Sequence, residues 1–249
     1  MAAAAAGAQA VRMTDRPRIL LVHGAWVGAW EFSDAIDLLH ERGWEVEALD
    51  LPSTGSTAGL DADAAAVTAA LDAMTGSVIL VGHSYGGVPI TQAGHHPAVQ
   101  HLVYVAAFAL DAGESVQSSL GGALPELWHV DGGQVSLGPD RAARIAMVSA
   151  DFPPGTPREA AEQLADLFRP QSLASLQNEV GSVAWRHKPA TYILTEKDVL
   201  VPPPFQELLA TRAGAEIVRV PTGHAPFQED PAGFVAVIEA IAAGSADER

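Results

Sequence analysis

The chain has 249 residues, 48% of them hydrophobic and 18% charged, which predicts one large domain with a substantial buried core and excludes disorder over its whole length. A formal net charge of −16 would repel nucleic acid and anionic lipid, and no apolar stretch approaches the length of a membrane span, so we expect neither as a partner. The absence of cysteine excludes disulfides, thiolate metal sites and a cysteine nucleophile.

Residues 1–17 are predicted to form a flexible tail rich in alanine. They resemble a secretory signal only in their small residues, because they lack a basic start and Arg12 follows the apolar part. We therefore expect a cytoplasmic protein, with Met13 as an alternative start. The sequence leaves the oligomeric state open, a homodimer being one alternative.

Short apolar strands alternate with helical patterns along most of the chain. The first part predicts strands at residues 19–22, 44–49, 78–81 and 102–106, and helices at residues 30–42, 60–75 and directly after residue 84. The pattern resumes with a strand at 191–194, a helix at 205–212, a strand at 216–220 and a helix from residue 231. Such alternation predicts an α/β fold, with a mostly parallel sheet covered by helices on both faces.

Residues 110–186 interrupt this alternation. Glycine and proline pairs there separate short helical patterns, two of which lie around residues 164–168 and 173–180. This segment is predicted to be a mainly helical cap over the sheet, inserted between core segments 18–109 and 187–249.

The residues 82–86 read Gly-His-Ser-Tyr-Gly and stand between a predicted strand and a predicted helix. A serine at such a sharp turn has a strained backbone, and side chains two positions either side of it would collide, which explains Gly82 and Gly86. The N–H groups that begin the next helix favour a developing negative charge. The pattern predicts that Ser84 is a nucleophile.

A serine hydroxyl needs a neighbouring base, and the base needs an orienting group. His224 follows the last predicted strand, which places it at the same sheet edge as Ser84; the alternative is an ordinary surface-loop histidine. Asp198 follows the strand at 191–194 and completes the chain order serine, acid, histidine. Glu196 and Asp111 are the rival acids.

Acyl transfer also needs N–H donors for the oxyanion, and the backbone amides of Ala25 and Tyr85 are the candidates. Trp26, Phe108 and Trp128 are candidate walls of an apolar substrate pocket under the cap, with ordinary core packing as the alternative for each.

We predict no metal site. The adjacent histidines at 95 and 96 cannot easily face one ion together with His101, and no carboxylate stands at ligand spacing. We expect these three side chains to be solvated.

Together these residues resemble the α/β-hydrolase fold superfamily over residues 18–243. Residues 23–30 (His-Gly-Ala-Trp-Val-Gly-Ala-Trp), 82–87 and 195–206 are similar to the methylesterase and hydroxynitrile-lyase branch, which includes salicylate-binding methyl esterases and bacterial relatives. The resemblance implies an α/β-hydrolase fold with an inserted cap and a cofactor-free esterase acting on a small-molecule ester.

Two positions depart from the lyase pattern. Lyases of this branch carry Thr or Asn where this chain has Gly24, a position that the resemblance places in the substrate pocket, and some carry Lys where it has Ala225. The resemblance therefore favours ester hydrolysis. The alternatives are a lactonase, a hydroxynitrile lyase or other C–C lyase, a perhydrolase, a cofactor-independent oxygenase, or a small-molecule receptor with a vestigial triad.

Overall fold

The computed structural model describes residues 16–151 and 155–247. All but the last two residues of the predicted alanine-rich tail, 1–17, lie outside the described part of the chain.

A central sheet of six strands organises the fold. Numbered along the whole chain, its strands are β1 (Arg18–Val22), β2 (Val46–Leu49), β3 (Val78–His83), β4 (Val99–Val105), β8 (Ala190–Thr195) and β9 (Glu216–Val220). Their spatial order is β2-β1-β3-β4-β8-β9, and every neighbouring pair is parallel. The predicted parallel sheet is confirmed, with β3 and β4 longer than expected and β2 shorter.

The two faces of the sheet bury different side chains of the same strands. Successive strand residues point to opposite faces, so Leu20 and Leu80 join one core cluster, while Ile19 and Ile79 join the other. All six residues of β3 are buried, as expected of a central parallel strand.

Helices cover both faces of the sheet. Those of the core are α1 (Ser33–Glu41), α2 (Leu60–Ala73), α3 (Gly87–Ala93), α8 (Pro203–Arg212), α9 (Pro226–Glu229) and α10 (Pro231–Asp247). The single helix predicted at 30–42 is wrong in detail, because a 3₁₀ turn over Ala29–Phe32 precedes α1. The chain leaves α1 through Gly43, whose φ of 77° suits glycine. Within the described part of the chain, no helix is long and apolar enough to span a membrane.

The segment 110–186 contains helices and a small second sheet. Its helices are α4 (Val116–Ser119), α5 (Arg141–Asp151), α6 (Arg158–Ala165) and α7 (Leu173–Gln177), and its antiparallel strands are β5 (Trp128–Asp131), β6 (Gln134–Leu137) and β7 (Gln171–Ser172). The hairpin between β5 and β6 turns at Gly132 and Gly133, both with positive φ. The two predicted helical patterns fall on α6 and α7, but both helices end earlier than the periodicity indicates.

Candidate active site

Ser84 directly follows β3 and begins a 3₁₀ turn over Ser84–Gly86 that leads into α3. Its φ of 50° lies in the left-handed region, which residues other than glycine rarely adopt. A Cβ on Gly82 would lie 2.6 Å from the carbonyl oxygen of Gly86, and one on Gly86 would collide with the carbonyl oxygen of Val22. The close approach that the sequence predicts around this serine is therefore present.

His224 and Asp198 come together at the same edge of the sheet. Nδ1 of His224 lies 2.7 Å from Oδ2 of Asp198, although the two residues are 26 positions apart. Asp198 follows β8 and His224 follows β9, so both stand beyond the carboxyl ends of parallel strands. Both side chains are buried, and His224 lines the same cavity as Ser84.

Hydrogen-bond donors surround the Asp198 carboxylate. Oδ1 accepts from the backbone N–H groups of Leu200 at 2.8 Å and Val201 at 2.9 Å. Oδ2 accepts from Thr195 Oγ1 and Gln206 Nε2, each at 3.0 Å, besides its contact with His224. Burial favours the protonated acid, but the charge and hydrogen bond of His224 and the backbone donors outweigh it and lower the pKa of Asp198.

The two rival acids lie elsewhere. Glu196 is exposed, and its backbone N–H donates to the carbonyl of Val220. The Asp111 carboxylate pairs with Arg186. The structure thus brings Asp198, and neither rival, to His224.

The loop after β1 presents a backbone amide beside Ser84. The N–H of Gly24 donates to Oε1 of Glu31 at 3.1 Å, so it is already engaged. Within the described part of the chain, no hydrogen bond engages the N–H of Ala25. The N–H of Tyr85 belongs to the first turn after Ser84, where helical N–H groups lack helical partners. These are the two amides that the sequence predicts as oxyanion donors.

A cavity of about 210 Å³ opens onto Ser84 and His224. It is lined by Ala25 and Tyr85 and by all four residues predicted for the pocket, namely Gly24, Trp26, Phe108 and Trp128. The cap supplies much of the remaining wall through Val116, Leu120, Pro125, Leu127 and Met147. The backbone of Trp26 has a positive φ of 68°. Its side chain donates from Nε1 to the carbonyl oxygen of Val135 at 2.7 Å, and this hydrogen bond connects the cap strand β6 to the core.

Two buried polar side chains at the wall of this cavity, Glu31 and His83, were not predicted from the sequence. Nδ1 of His83 lies 3.0 Å from Oε1 of Glu31, and Nε2 lies 3.0 Å from the backbone carbonyl oxygen of His224. The available signals were the position of His83 inside the nucleophile motif and the position of Glu31 directly before Phe32, which begins the apolar face of a predicted helix.

Asp63 is a third missed residue, and it holds the side chain after Ser84. Tyr85 donates from its hydroxyl to Oδ2 of Asp63 at 2.6 Å, and the N–H of Ser53 donates to Oδ1 at 2.9 Å. Burial and the nearby Asp63 carboxylate raise the pKa of Tyr85 well above its ordinary value, so its hydroxyl keeps its proton.

The three histidines considered as metal ligands make separate contacts. His96 pairs with Asp72, His101 lies 2.9 Å from the hydroxyl of Thr191, and His95 is exposed. In residues 16–151 and 155–247, no group of three or more potential ligands is placed to hold a metal ion.

Comparison with known proteins gives matches over nearly the whole chain. The model of the alpha/beta hydrolase family matches residues 19–237. A probable hydrolase, R7, of Phoma sp. is 30% identical over 91% of this chain and 98% of its own length. Methylesterase 17 of Arabidopsis thaliana is 24% identical over 86% of this chain and 87% of its own. The crystal structure of a pyrethroid hydrolase, PytH, has a TM-score of 0.78 and 26% identity, covering 92% of this chain and 98% of that one.

These matches decide the class of protein. The relatives are hydrolases and esterases, and the chain is an enzyme of the ester-hydrolysing kind. Its six-stranded parallel sheet and flanking helices form the α/β-hydrolase fold. The chain belongs to the alpha/beta hydrolase family.

Proposed function

We propose that the protein hydrolyses small, neutral carboxylic esters through an acyl-enzyme intermediate, with Ser84 as nucleophile, His224 as base and Asp198 as the orienting acid. The observation that carries this proposal is the 2.7 Å contact between His224 Nδ1 and Asp198 Oδ2 beside the cavity that Ser84 lines. An acceptor at this distance keeps the proton on Nδ1, so the Nε2 lone pair stays available for the serine proton.

The reaction follows from these positions. Ser84 Oγ attacks the ester carbonyl carbon, its proton passes to Nε2 of His224, and the carbonyl oxygen takes the electron pair. The N–H groups of Ala25 and Tyr85 stabilise this oxyanion. As the tetrahedral intermediate collapses, its bond to the alcohol oxygen breaks and the alcohol leaves with the proton from His224. Water, activated by His224, then attacks the acyl carbon, and the acid is released from Ser84.

The walls of the cavity favour uncharged, apolar groups on both sides of the ester. The described residues that line it are mostly aromatic and aliphatic, and none of them is a lysine or an arginine. The side chains of Leu127 and Val199, 58% and 66% exposed, add apolar surface on the cap and on the Asp198 loop. A carboxylate on the substrate would lose water without gaining a cationic partner. The pyrethroid hydrolase and methylesterase names of two relatives are consistent with ester substrates.

The position of Gly24 argues against the lyase alternative. A Cβ at this position would lie 3.1 Å from both His83 Nδ1 and the Cβ of Ser84, so there is little room for the Thr or Asn side chain of the lyase pattern. Cyanide release from mandelonitrile at a rate comparable with ester hydrolysis would favour the lyase instead.

Ester turnover by Ser84→Ala and by an exposed-serine control, Ser182→Ala, tests the proposal. We expect Ser84→Ala to lose hydrolysis of p-nitrophenyl acetate and labelling by a fluorophosphonate, while Ser182→Ala keeps both. An ester with a free carboxylate on the acyl chain should be a much poorer substrate than its neutral counterpart. Turnover by Ser84→Ala at the wild-type rate would refute the role of the serine, and labelling without turnover by the wild type would indicate a receptor.

A further inference from the structure

We propose that Glu31 and His83 form a positioning pair, which holds the loop of the oxyanion donor Ala25 and the backbone of His224 in fixed relation to Ser84. The inference rests on the proposed function, because it assigns a role to two residues that touch the proposed catalytic groups. Neither side chain takes part in the bond changes themselves.

The pair connects two separate loops through one carboxylate oxygen and one imidazole ring. Oε1 of Glu31 accepts the N–H of Gly24 at 3.1 Å, which fixes the residue directly before Ala25. The same oxygen lies 3.0 Å from Nδ1 of His83, and Nε2 of His83 lies 3.0 Å from the carbonyl oxygen of His224. The chain of contacts therefore runs from the loop after β1 to the loop after β9.

The topology explains why the His224 loop needs such a contact. β9 is an edge strand of the sheet and stands three positions from β3, which ends just before Ser84. Neighbouring strands are about 4.8 Å apart, so the His224 loop crosses about 14 Å to reach the serine. The hydrogen bond from His83 Nε2 to the carbonyl oxygen of His224 holds the loop where it has crossed the sheet to the side of Ser84.

Proton counting determines the state of the pair. The His224 carbonyl oxygen carries no proton, so Nε2 of His83 must donate. A second proton lies between Nδ1 and Oε1, since two atoms 3.0 Å apart in this position must share one to attract each other. Whichever of these two atoms holds it, the pair retains both protons and Nε2 stays protonated.

Packing fixes the ring in this orientation. His83 is 1% exposed, and its ring meets Phe227 edge-on at a centroid distance of 4.9 Å and Phe32 at 6.5 Å. The centroid of the His83 ring also lies 4.7 Å from the centroid of the His224 ring. A half-turn of the ring would exchange Nδ1 with Cδ2 and Nε2 with Cε1, and would break both hydrogen bonds.

Glu31→Gln should break this bridge without removing its bulk. If the amide oxygen accepts from Gly24, Nδ1 of a neutral His83 must donate to it, and the Nε2 lone pair then faces the His224 carbonyl. If the amide nitrogen takes that place, it opposes the N–H of Gly24. A cationic His83 is disfavoured there, because it would be buried without its carboxylate.

Kinetics and histidine NMR of the full-length protein test the pair together. We expect Glu31→Gln to lower kcat for a neutral p-nitrophenyl ester by about 10-fold to 100-fold, with KM changed by less than about 3-fold. Asp37→Asn is the matched control, because it removes an exposed carboxylate on the adjacent helix and should leave kcat unchanged. Nitrogen-15 spectra should show a proton on Nε2 of His83 in the wild type. In Glu31→Gln this proton is lost if the amide oxygen accepts from Gly24 and is kept if the amide nitrogen faces Gly24, and His83→Gln identifies the signals.

A wild-type His83 with an unprotonated Nε2, or a folded Glu31→Gln with wild-type kcat, would overturn the proposal. If Glu31→Gln does not fold, the wild-type spectrum still decides it. The spectra require no turnover and can be repeated in Ser84→Ala. A failure of the wild type to hydrolyse any ester would therefore contradict the proposed function, while the protonation of His83 would still be determined.

Discussion

Replacing Asp198 by asparagine tests the proposed mechanism at its most constrained group. Every group that contacts the two carboxylate oxygens is a donor: two backbone N–H groups at Oδ1, and the side chains of Thr195, Gln206 and His224 at Oδ2. An asparagine amide can accept at one end only. Its NH₂ group must therefore face donors wherever it is placed.

The contacts indicate which orientation the amide takes and what it costs. At the Oδ1 site, the NH₂ group would oppose the N–H groups of Leu200 and Val201 together, so the Oδ2 site is favoured. There it opposes the Gln206 amide and donates to Nδ1 of His224, which moves the imidazole proton to Nε2. A histidine protonated at Nε2 cannot accept the proton of Ser84. We expect kcat to fall by about 10⁴-fold, or roughly 5 kcal/mol in activation free energy.

The assay is kcat for p-nitrophenyl acetate in Asp198→Asn, the wild type and a control, Asp166→Asn. Asp166 is an exposed carboxylate paired with Arg141 at 2.7 Å, so this control makes the same chemical change away from the site. The free energy of unfolding should fall by about 1–3 kcal/mol in Asp198→Asn, because a donor is left opposing a donor. An Asp198→Asn enzyme with more than about a tenth of the wild-type kcat would refute the orienting role.

Two further predictions concern stability. Gly86→Ala should unfold the protein or lower its free energy of unfolding by about 3 kcal/mol, because the added Cβ collides with the carbonyl oxygen of Val22. Gly181→Ala is the control, because its Cβ meets only an ordinary 3.8 Å contact, and thermal melts compare the two variants. Burial raises the pKa of Asp63 above its ordinary value of 3.8, so the folded state holds this proton more tightly and loses stability as pH rises above that value. The stability of Asp63→Asn relative to the wild type should therefore increase as the pH rises above 3.8 in urea titrations, and a difference that does not change with pH would contradict the raised pKa.

The parts of the fold that sequence analysis predicts well are those with strong local signals. The strand at 191–194 is an apolar run that ends in a polar loop, and it appears as β8 with Asp198 just beyond it. Once the parallel sheet is predicted, the loops after β3, β8 and β9 must share one edge, which is why Ser84, Asp198 and His224 could be grouped in advance.

The small sheet of the cap has no comparable signal. β5 and β6 are four residues each, and three of the four residues of β5 are exposed, so no buried alternating pattern marks the hairpin. β7 has two residues and depends on pairing with β6, from which it is separated by α5 and α6. Its existence follows from tertiary contact rather than from local sequence preference.

The buried acids show most clearly what the sequence alone leaves undecided. The chain has 30 acidic residues, and among the described residues only three of them are buried, namely Glu31, Asp63 and Asp198. Each of the three contacts a residue of the site: His83 before Ser84, Tyr85 after it, and His224 opposite it. Each also accepts at least one backbone N–H, which compensates for the loss of water. Because burying a carboxylate is costly, this concentration around one serine is itself an argument that the chain is organised for chemistry there.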